Sequence, residues 1–245
     1  MTLHIAMWSG PRNLSTAMMR SFESRADTFV SDEPFYGCFL KASGAGHPMR
    51  EEVIAAMDCD WVSVMASLHG DPPGSSPIWY QKHMWHHMTG PIGYDDFEGF
   101  THAFLIREPE RMIASYLRKR ETAAFEDFGL EQQAEFFERE ADRLGRAPPV
   151  IDARDVLANP QSVLSKLCEA LGIPWDKSML VWEAGPRPTD GPWAPHWYAS
   201  VEASSGFGPP ETDDINLPDE VRSLAARCRP FYERLAAHRI RPGGP

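Results

Sequence analysis

The sequence contains no apolar run near the roughly 20 residues that a membrane-spanning helix requires, and the chain is therefore expected to have no membrane partner. Cysteine is scarce: four residues (Cys38, Cys59, Cys168, Cys228), with neither zinc-ligand spacing nor the pattern of a disulfide framework. No signal-peptide pattern precedes the first apolar strand, so a reduced, cytoplasmic setting is expected. Positive charge is in deficit, with 24 Lys and Arg against 35 Asp and Glu and a formal net charge of −11. That balance speaks against a nucleic-acid partner, which normally meets a basic face. It leaves room for a small polyanion, because a few arginines and a helix N-terminus can make a locally positive pocket.

The remaining composition is that of an ordinary globular protein: 42% hydrophobic and 24% charged over 245 residues, enough for one domain with a full core. Proline is plentiful at 22 residues and gathers at 72–77, 148–149 and 185–195, where it marks loops. Along the chain, Leu3–Trp8 reads as a buried strand, 15–24 as a helix, Thr28–Val30 as a second strand, 50–69 as helical and 77–81 as a third strand. A fourth strand over 103–107 leads into a helix over 109–119, with Pro109 in a tolerated first-turn position. An amphipathic helix over 130–145, a short strand over 149–152, and a helix opened by Asn159-Pro160 and stopped by Gly172 follow. The stretch 185–215 lacks helical periodicity and carries several aromatics, so it is expected to be a lid or acceptor-site segment. A last helix spans 218–240, kinked or reset at Pro230. The alternation predicts one α/β domain over 1–245: a P-loop-like, doubly wound parallel β-sheet flanked by helices, with ligands at the carboxyl ends of its strands.

Two features point to phosphate. Gly10-Pro11-Arg12-Asn13-Leu14-Ser15-Thr16 follows the first strand and opens a helix, so backbone N–H groups, two hydroxyls and a guanidinium converge. Arg107 ends the fourth strand, and Ser115 comes eight positions later, about two helical turns on, after Pro109. Two such sites suggest a ligand with phosphates at two separate positions. Each piece also has a plain structural reading: a capped helix for Ser15 and Thr16, and a carboxylate partner for Arg107.

These motifs resemble the sulfotransferase superfamily, whose enzymes use 3′-phosphoadenosine 5′-phosphosulfate (PAPS). Pro11-Arg-Asn-Leu-Ser-Thr16 stands where that family has its Pro-Lys/Arg-Ser-Gly-Thr/Ser-Thr loop, and Arg107-Glu-Pro109 through Ser115 matches its Arg-x-Pro-x5-Ser motif. The stretch from Val150 to Pro160, followed by Leu171-Gly-Ile-Pro174, is similar to a third family pattern. Leu14 replaces the usual loop glycine, and the Arg-Lys-Gly element of many eukaryotic members has no match, with Ser204-Ser-Gly-Phe207 as a conceivable substitute. The resemblance implies metal-independent, in-line sulfuryl transfer from PAPS to a hydroxyl or amine acceptor, either a small molecule or a carbohydrate. Gly10, Pro11, Arg12, Asn13, Leu14, Ser15 and Thr16 would bind the 5′ end of the donor, and Arg107 and Ser115 its 3′-phosphate. Arg12 would stabilise the leaving group.

Transfer requires a base for the acceptor proton. The resemblance offers Glu33, after the second strand, as the base, with His83 as the second candidate. His83, His86 and His87 share a spacing that can hold a metal, but no His-Glu-x-x-His carboxylate accompanies them, and no metal is expected. Two other functions stay open. One is a non-catalytic module that binds adenosine 3′,5′-bisphosphate or another nucleotide. The other is a small-molecule kinase, weakened by the absent Gly-Lys-Ser/Thr ending of a Walker loop. Acceptor identity and oligomeric state are not legible in the sequence.

Overall fold

The computed structural model describes residues 2–209, 212 and 217–243. Among them, five parallel strands form one sheet in the order β2-β3-β1-β4-β5, flanked by helices. The strands are β1 (Leu3–Ser9), β2 (Thr28–Asp32), β3 (Ile78–Met84), β4 (Thr101–Ile106) and β5 (Val150–Asp152). All seven residues of β3 are buried, the pattern of a strand covered on both faces. Two compact units emerge, one built from Met1–Met7, Thr16–Thr101 and Ser178–Gly206, the other from Trp8–Ser15, His102–Lys177 and Phe207–Pro245.

In the first unit, α1 (Ser15–Glu23, from its second residue on) packs its Met18, Met19 and Phe22 into the core, with Phe22 stacked on Tyr80 at 4.3 Å. A helix absent from the sequence reading, α2 (Tyr36–Ser43), follows β2 and ends at Gly44 with φ 66°. Tyr36 to Leu40 are all buried, so this helix shows no apolar stripe that periodicity could detect. The expected single helix over 50–69 is two helices, α3 (Arg50–Ala56) and α4 (Trp61–Leu68). Met57 turns extended, and Asp60 caps α4 by accepting a hydrogen bond from the Ser63 N–H at 2.8 Å.

The stretch 185–206 also departs from the sequence reading, because it contains two single-turn helices, α9 (Ala194–Trp197) and α10 (Ala199–Glu202). Trp193, Ala194 and Tyr198 lie in a core cluster with Tyr36, Phe39, Leu40 and Val53. The segment is pinned by a buried ion pair, Arg20 to Asp190 at 2.7 Å. Residues 210, 211 and 213–215 of the expected lid lie outside the described residues.

In the second unit, α5 (Pro109–Leu117) and α6 (Leu130–Leu144) both pack against α11 (Asp219–Ala236), which runs through Pro230 as one helix. Between them in sequence lie α7 (Ala153–Ala158), which the sequence reading did not separate, and α8 (Pro160–Leu171). Asn159 caps α8 by accepting from Ser162 N–H at 3.0 Å, and Gly172 closes it with φ 72°. Among the described residues, no helix is long and apolar enough to cross a membrane.

Candidate active site

The loop after β1 belongs, up to Ser15, to the second unit. Two of its non-glycine residues adopt left-handed backbone, Arg12 at φ 59° and Leu14 at φ 70°. Such conformations cost about 1–2 kcal/mol per residue and persist where the surroundings over-determine them, commonly at ligand sites. The position at which the resembling family carries glycine therefore keeps glycine's conformation while bearing a leucine. Gly10 has a packing reason, since a Cβ there would sit 2.8 Å from the Phe128 carbonyl oxygen. Fully buried Asn13 donates from its side-chain amide to the Leu105 carbonyl oxygen on β4 at 3.5 Å. Ser15 opens α1 and is buried.

Arg107 and Ser115 are brought to this loop. The Arg107 Nη1 donates to the carbonyl oxygen of Arg12 at 2.6 Å, and the Arg12 Nε donates to the buried Ser115 Oγ at 3.2 Å. Arg107 follows directly on β4, and α5 carries Ser115 around to the same point. Two guanidinium groups and a hydroxyl thus converge on a helix-opening loop, a donor set suited to a phosphate ester. Arg12, expected at the 5′ end of a donor, is hydrogen-bonded to the serine expected at the 3′-phosphate.

In the first unit, Glu33 follows β2 with φ 42°, another left-handed non-glycine. Its Oε1 lies 2.7 Å from the Lys82 ammonium, and Lys82 also contacts Asp32 Oδ1 at 2.7 Å, the Tyr198 hydroxyl at 2.6 Å and Thr16 Oγ1 at 3.3 Å. Asp32 is satisfied in turn by the Tyr198 hydroxyl at 2.7 Å and the Gly191 N–H at 3.0 Å, while Trp193 Nε1 donates to Tyr198 at 3.0 Å. Burial opposes charge on Lys82, but Asp32 and Glu33 outweigh it and raise its pKa well above the usual lysine value. Burial, reinforced by Asp32, pushes the Glu33 carboxyl above the usual range despite Lys82, and burial likewise raises the Tyr198 phenol. Thr16, in the first turn of α1, ties this network to the helix that the phosphate loop feeds.

His83, placed beyond the third strand by the sequence reading, lies inside it, because β3 runs on to Met84 in register with β2 and pairs Asp32 with Lys82. His83 is buried, and its Nε2 meets Gln81 Oε1 at 3.2 Å. His86 and His87 sit in a single 3₁₀ turn, Trp85–His87, rather than on the same α-helix as His83. Among the described residues, no three His, Cys, Asp or Glu side chains are grouped to hold a metal ion.

The family model described as "Sulfotransferase domain" matches residues 3–239. The chain belongs to the sulfotransferase domain family. Two curated relatives from Arabidopsis thaliana, named branched-chain-amino-acid aminotransferase-like protein 1 and 2, are 37% and 35% identical to it over 235 residues, or 96% of this chain. The chain spans 42% and 41% of their respective lengths, so it corresponds to less than half of each. Among solved structures, the sulfotransferase domain from the Synechococcus PCC 7002 olefin synthase superposes with a TM-score of 0.57 at 15% identity, covering 92% of this chain and 94% of that one. The sulfotransferase from Alicyclobacillus acidocaldarius gives 0.56 at 16% identity, covering 98% of this chain and 97% of that one. At such identities these two neighbours speak for the fold alone.

Sequence reasoning assigned no role to Asp32 or Lys82 in this sulfotransferase domain. A lysine inside the apolar run Ile78–Met84 was a usable signal, since buried lysines need partners. The bond from Tyr198 to Asp32 spans 166 residues, so no local signal links the two.

Proposed function

We propose that this domain is a cytoplasmic, PAPS-dependent sulfotransferase that moves a sulfuryl group in-line to a hydroxyl (or amine) acceptor without a metal. The observation that carries the reading is the convergence of Arg12, Arg107 and Ser115 on the loop between β1 and α1. Its chemistry fits a donor with phosphate at two positions: guanidinium forks, hydroxyls and helix N–H groups, all suited to anions. When bound, PAPS supplies the activated sulfuryl group and a phosphate leaving group.

This chain's residues have separable tasks. Arg107 and Ser115 hold the 3′-phosphate. The backbone of Gly10–Leu14, the Ser15 and Thr16 hydroxyls, and Arg12 hold the 5′ end. Arg12 remains charged throughout, so it stabilises the charge that develops on the leaving oxygen but does not protonate it. Lys82, held between Asp32 and Glu33, bonds the Thr16 hydroxyl in the first turn of α1. Glu33 accepts the acceptor's proton. Its raised pKa makes it a stronger base than an ordinary carboxylate.

Thermal shift tests the donor end. Adenosine 3′,5′-bisphosphate at a hundredfold its dissociation constant is expected to add about 2.7 kcal/mol of stability, whereas ADP and ATP, with or without Mg²⁺, do much less. Arg107→Ala abolishes the response. Equal stabilisation by ATP with Mg²⁺ would favour a kinase, and bisphosphate binding with no sulfuryl transfer to any acceptor would favour a non-catalytic nucleotide module.

A further inference from the structure

The partners of Asp32 are all donors. Lys82 Nζ meets its Oδ1 at 2.7 Å, and the Tyr198 hydroxyl and the Gly191 N–H meet its Oδ2 at 2.7 and 3.0 Å. The direction of the phenol proton is fixed by the other partners of Tyr198. Lysine and indole can only donate, so the Tyr198 oxygen accepts from Lys82 at 2.6 Å and from Trp193 Nε1 at 3.0 Å. Its single hydrogen therefore goes to Asp32. Both Asp32 oxygens only accept, the arrangement of an ionised carboxylate. The Lys82 ammonium has three hydrogens and meets Asp32 Oδ1, the Tyr198 hydroxyl and Glu33 Oε1 at close range, with Thr16 Oγ1 farther off at 3.3 Å.

The side chains of Lys82 and Asp32 are each 1% exposed and that of Glu33 12%. One ammonium thus faces two carboxylates where water screens little, and with Glu33 ionised the trio carries one negative charge in excess. A proton taken up by Glu33 brings the trio to neutrality. Without the Asp32 charge, the same proton would turn a neutral Lys82–Glu33 pair into a buried net cation, which is costly. The other groups facing Glu33 leave this count unchanged. His87 Nδ1 stands 3.8 Å from Glu33 Oε2, and burial pushes its imidazole well below the usual histidine value, so it is neutral. Burial keeps Tyr198 a phenol. His83, on β3, meets Gln81 Oε1 through Nε2 at 3.2 Å. Burial raises the Glu33 carboxyl most, Lys82 opposes the rise, and Asp32 adds to it.

We propose that Asp32 is a positioning residue for the proton transfer: held by Tyr198 and Gly191 and acting through Lys82, it leaves the buried trio one proton short of neutrality, so that Glu33 draws the proton from the acceptor. This rests on the sulfotransferase reading of the same site. As the acceptor oxygen bonds to sulfur, its O–H bond breaks and the proton passes to Glu33. The bridging S–O bond breaks at the same time, its electron pair leaving on the 5′-phosphate. Asp32 touches neither reactant and gains and loses no proton. Glu33 returns its proton to solvent before the next turnover.

The test follows Glu33 directly, by carboxyl ¹³C NMR of glutamate-labelled protein titrated from acid to mildly alkaline pH, the resonance being assigned by its loss in Glu33→Gln. Calorimetric binding of adenosine 3′,5′-bisphosphate reports the donor site and the fold in every variant. The wild-type midpoint is expected above the ordinary glutamate value of about 4.3. Asp32→Asn should lower it by about one pH unit or more, with bisphosphate affinity kept. Tyr198→Phe takes a hydroxyl from the same network but leaves both carboxylates charged, so its shift should be less than half as large. Loosened packing alone would move the two variants alike. A wild-type midpoint at or below the ordinary value would overturn the inference and requires no variant to fold. A midpoint unmoved by Asp32→Asn, or moved as far by Tyr198→Phe, would overturn it too. In each of these cases bisphosphate binding by the wild type leaves the donor reading standing. Failure of the wild type to bind the bisphosphate would overturn that reading and the proposal with it.

Discussion

Two cationic centres in this protein differ in the partners that hold them. In the second unit, Arg12 and Arg107 are positioned through neutral oxygens, the Ser115 hydroxyl and the Arg12 carbonyl, on a loop strained at two non-glycine residues. In the first unit, Lys82 is locked between Asp32 and Glu33, with Tyr198 and Thr16 completing its shell. Both of these guanidinium bonds end on neutral oxygens. The ammonium is placed by charge, so its removal should be felt first in folding.

The largest effect is therefore expected from Lys82→Met. It leaves Asp32 and Glu33 buried without their cation, and breaking a buried pair in this way costs about 3–5 kcal/mol. A urea midpoint measures it, and adding Asp32→Asn to Lys82→Met should recover part of the loss. A midpoint unchanged by Lys82→Met would erase the contrast between the two centres.

Asp152 sharpens the comparison as a buried carboxylate with a phenol but no lysine. It accepts from Tyr232 OH at 2.7 Å and from the Arg154 N–H at 2.8 Å. Burial, only partly offset by these bonds, pushes its pKa up from 3.8 to about 6. The folded state therefore holds this proton more tightly than the unfolded chain, and stability falls as pH rises from roughly 4 to 6, by an amount on the order of 3 kcal/mol. Asp152→Asn should flatten that part of the stability–pH curve. A slope preserved in the variant would assign it to other groups.

The smallest effect concerns the loop. Leu14→Gly relieves a left-handed leucine, worth about 1–2 kcal/mol, against about 0.4–1 kcal/mol of added unfolded-state entropy. The net expectation is a slight rise in melting temperature, with bisphosphate affinity retained. A clear destabilisation would show that the leucine side chain, rather than the turn, is what the loop requires.

The parts of this site legible in sequence are those set by short spacing. The caps at Asn159 and Gly172 act within their own turns, and the structure places them as local rules require, whereas Arg107 and Ser115 meet Arg12 at sequence separations of 95 and 103 residues. Helix α2 escaped notice because buried residues along Tyr36–Leu40 erase the amphipathic period. His83 was displaced from loop to strand because the end of β3 is decided by pairing with β2, and no local signal marks where that pairing stops. For Trp193 and Tyr198 the sequence left core and lid packing equally open; both lie in a core cluster, where the buried Arg20–Asp190 pair and the Asp32–Gly191 bond fasten their segment to α1 and β2. Contacts between residues more than a hundred positions apart leave no periodic trace.

The central claim is that Arg107 and Ser115 read a second, 3′ phosphate. The most direct measurement is calorimetric affinity for adenosine 3′,5′-bisphosphate against adenosine 5′-phosphate, in the wild type and in Ser115→Ala. The account predicts that the wild type prefers the bisphosphate strongly and that Ser115→Ala loses about tenfold, the worth of one charge-assisted hydrogen bond, for the bisphosphate alone. Equal affinity for the two nucleotides in the wild type, or an equal loss for both in the variant, would contradict it.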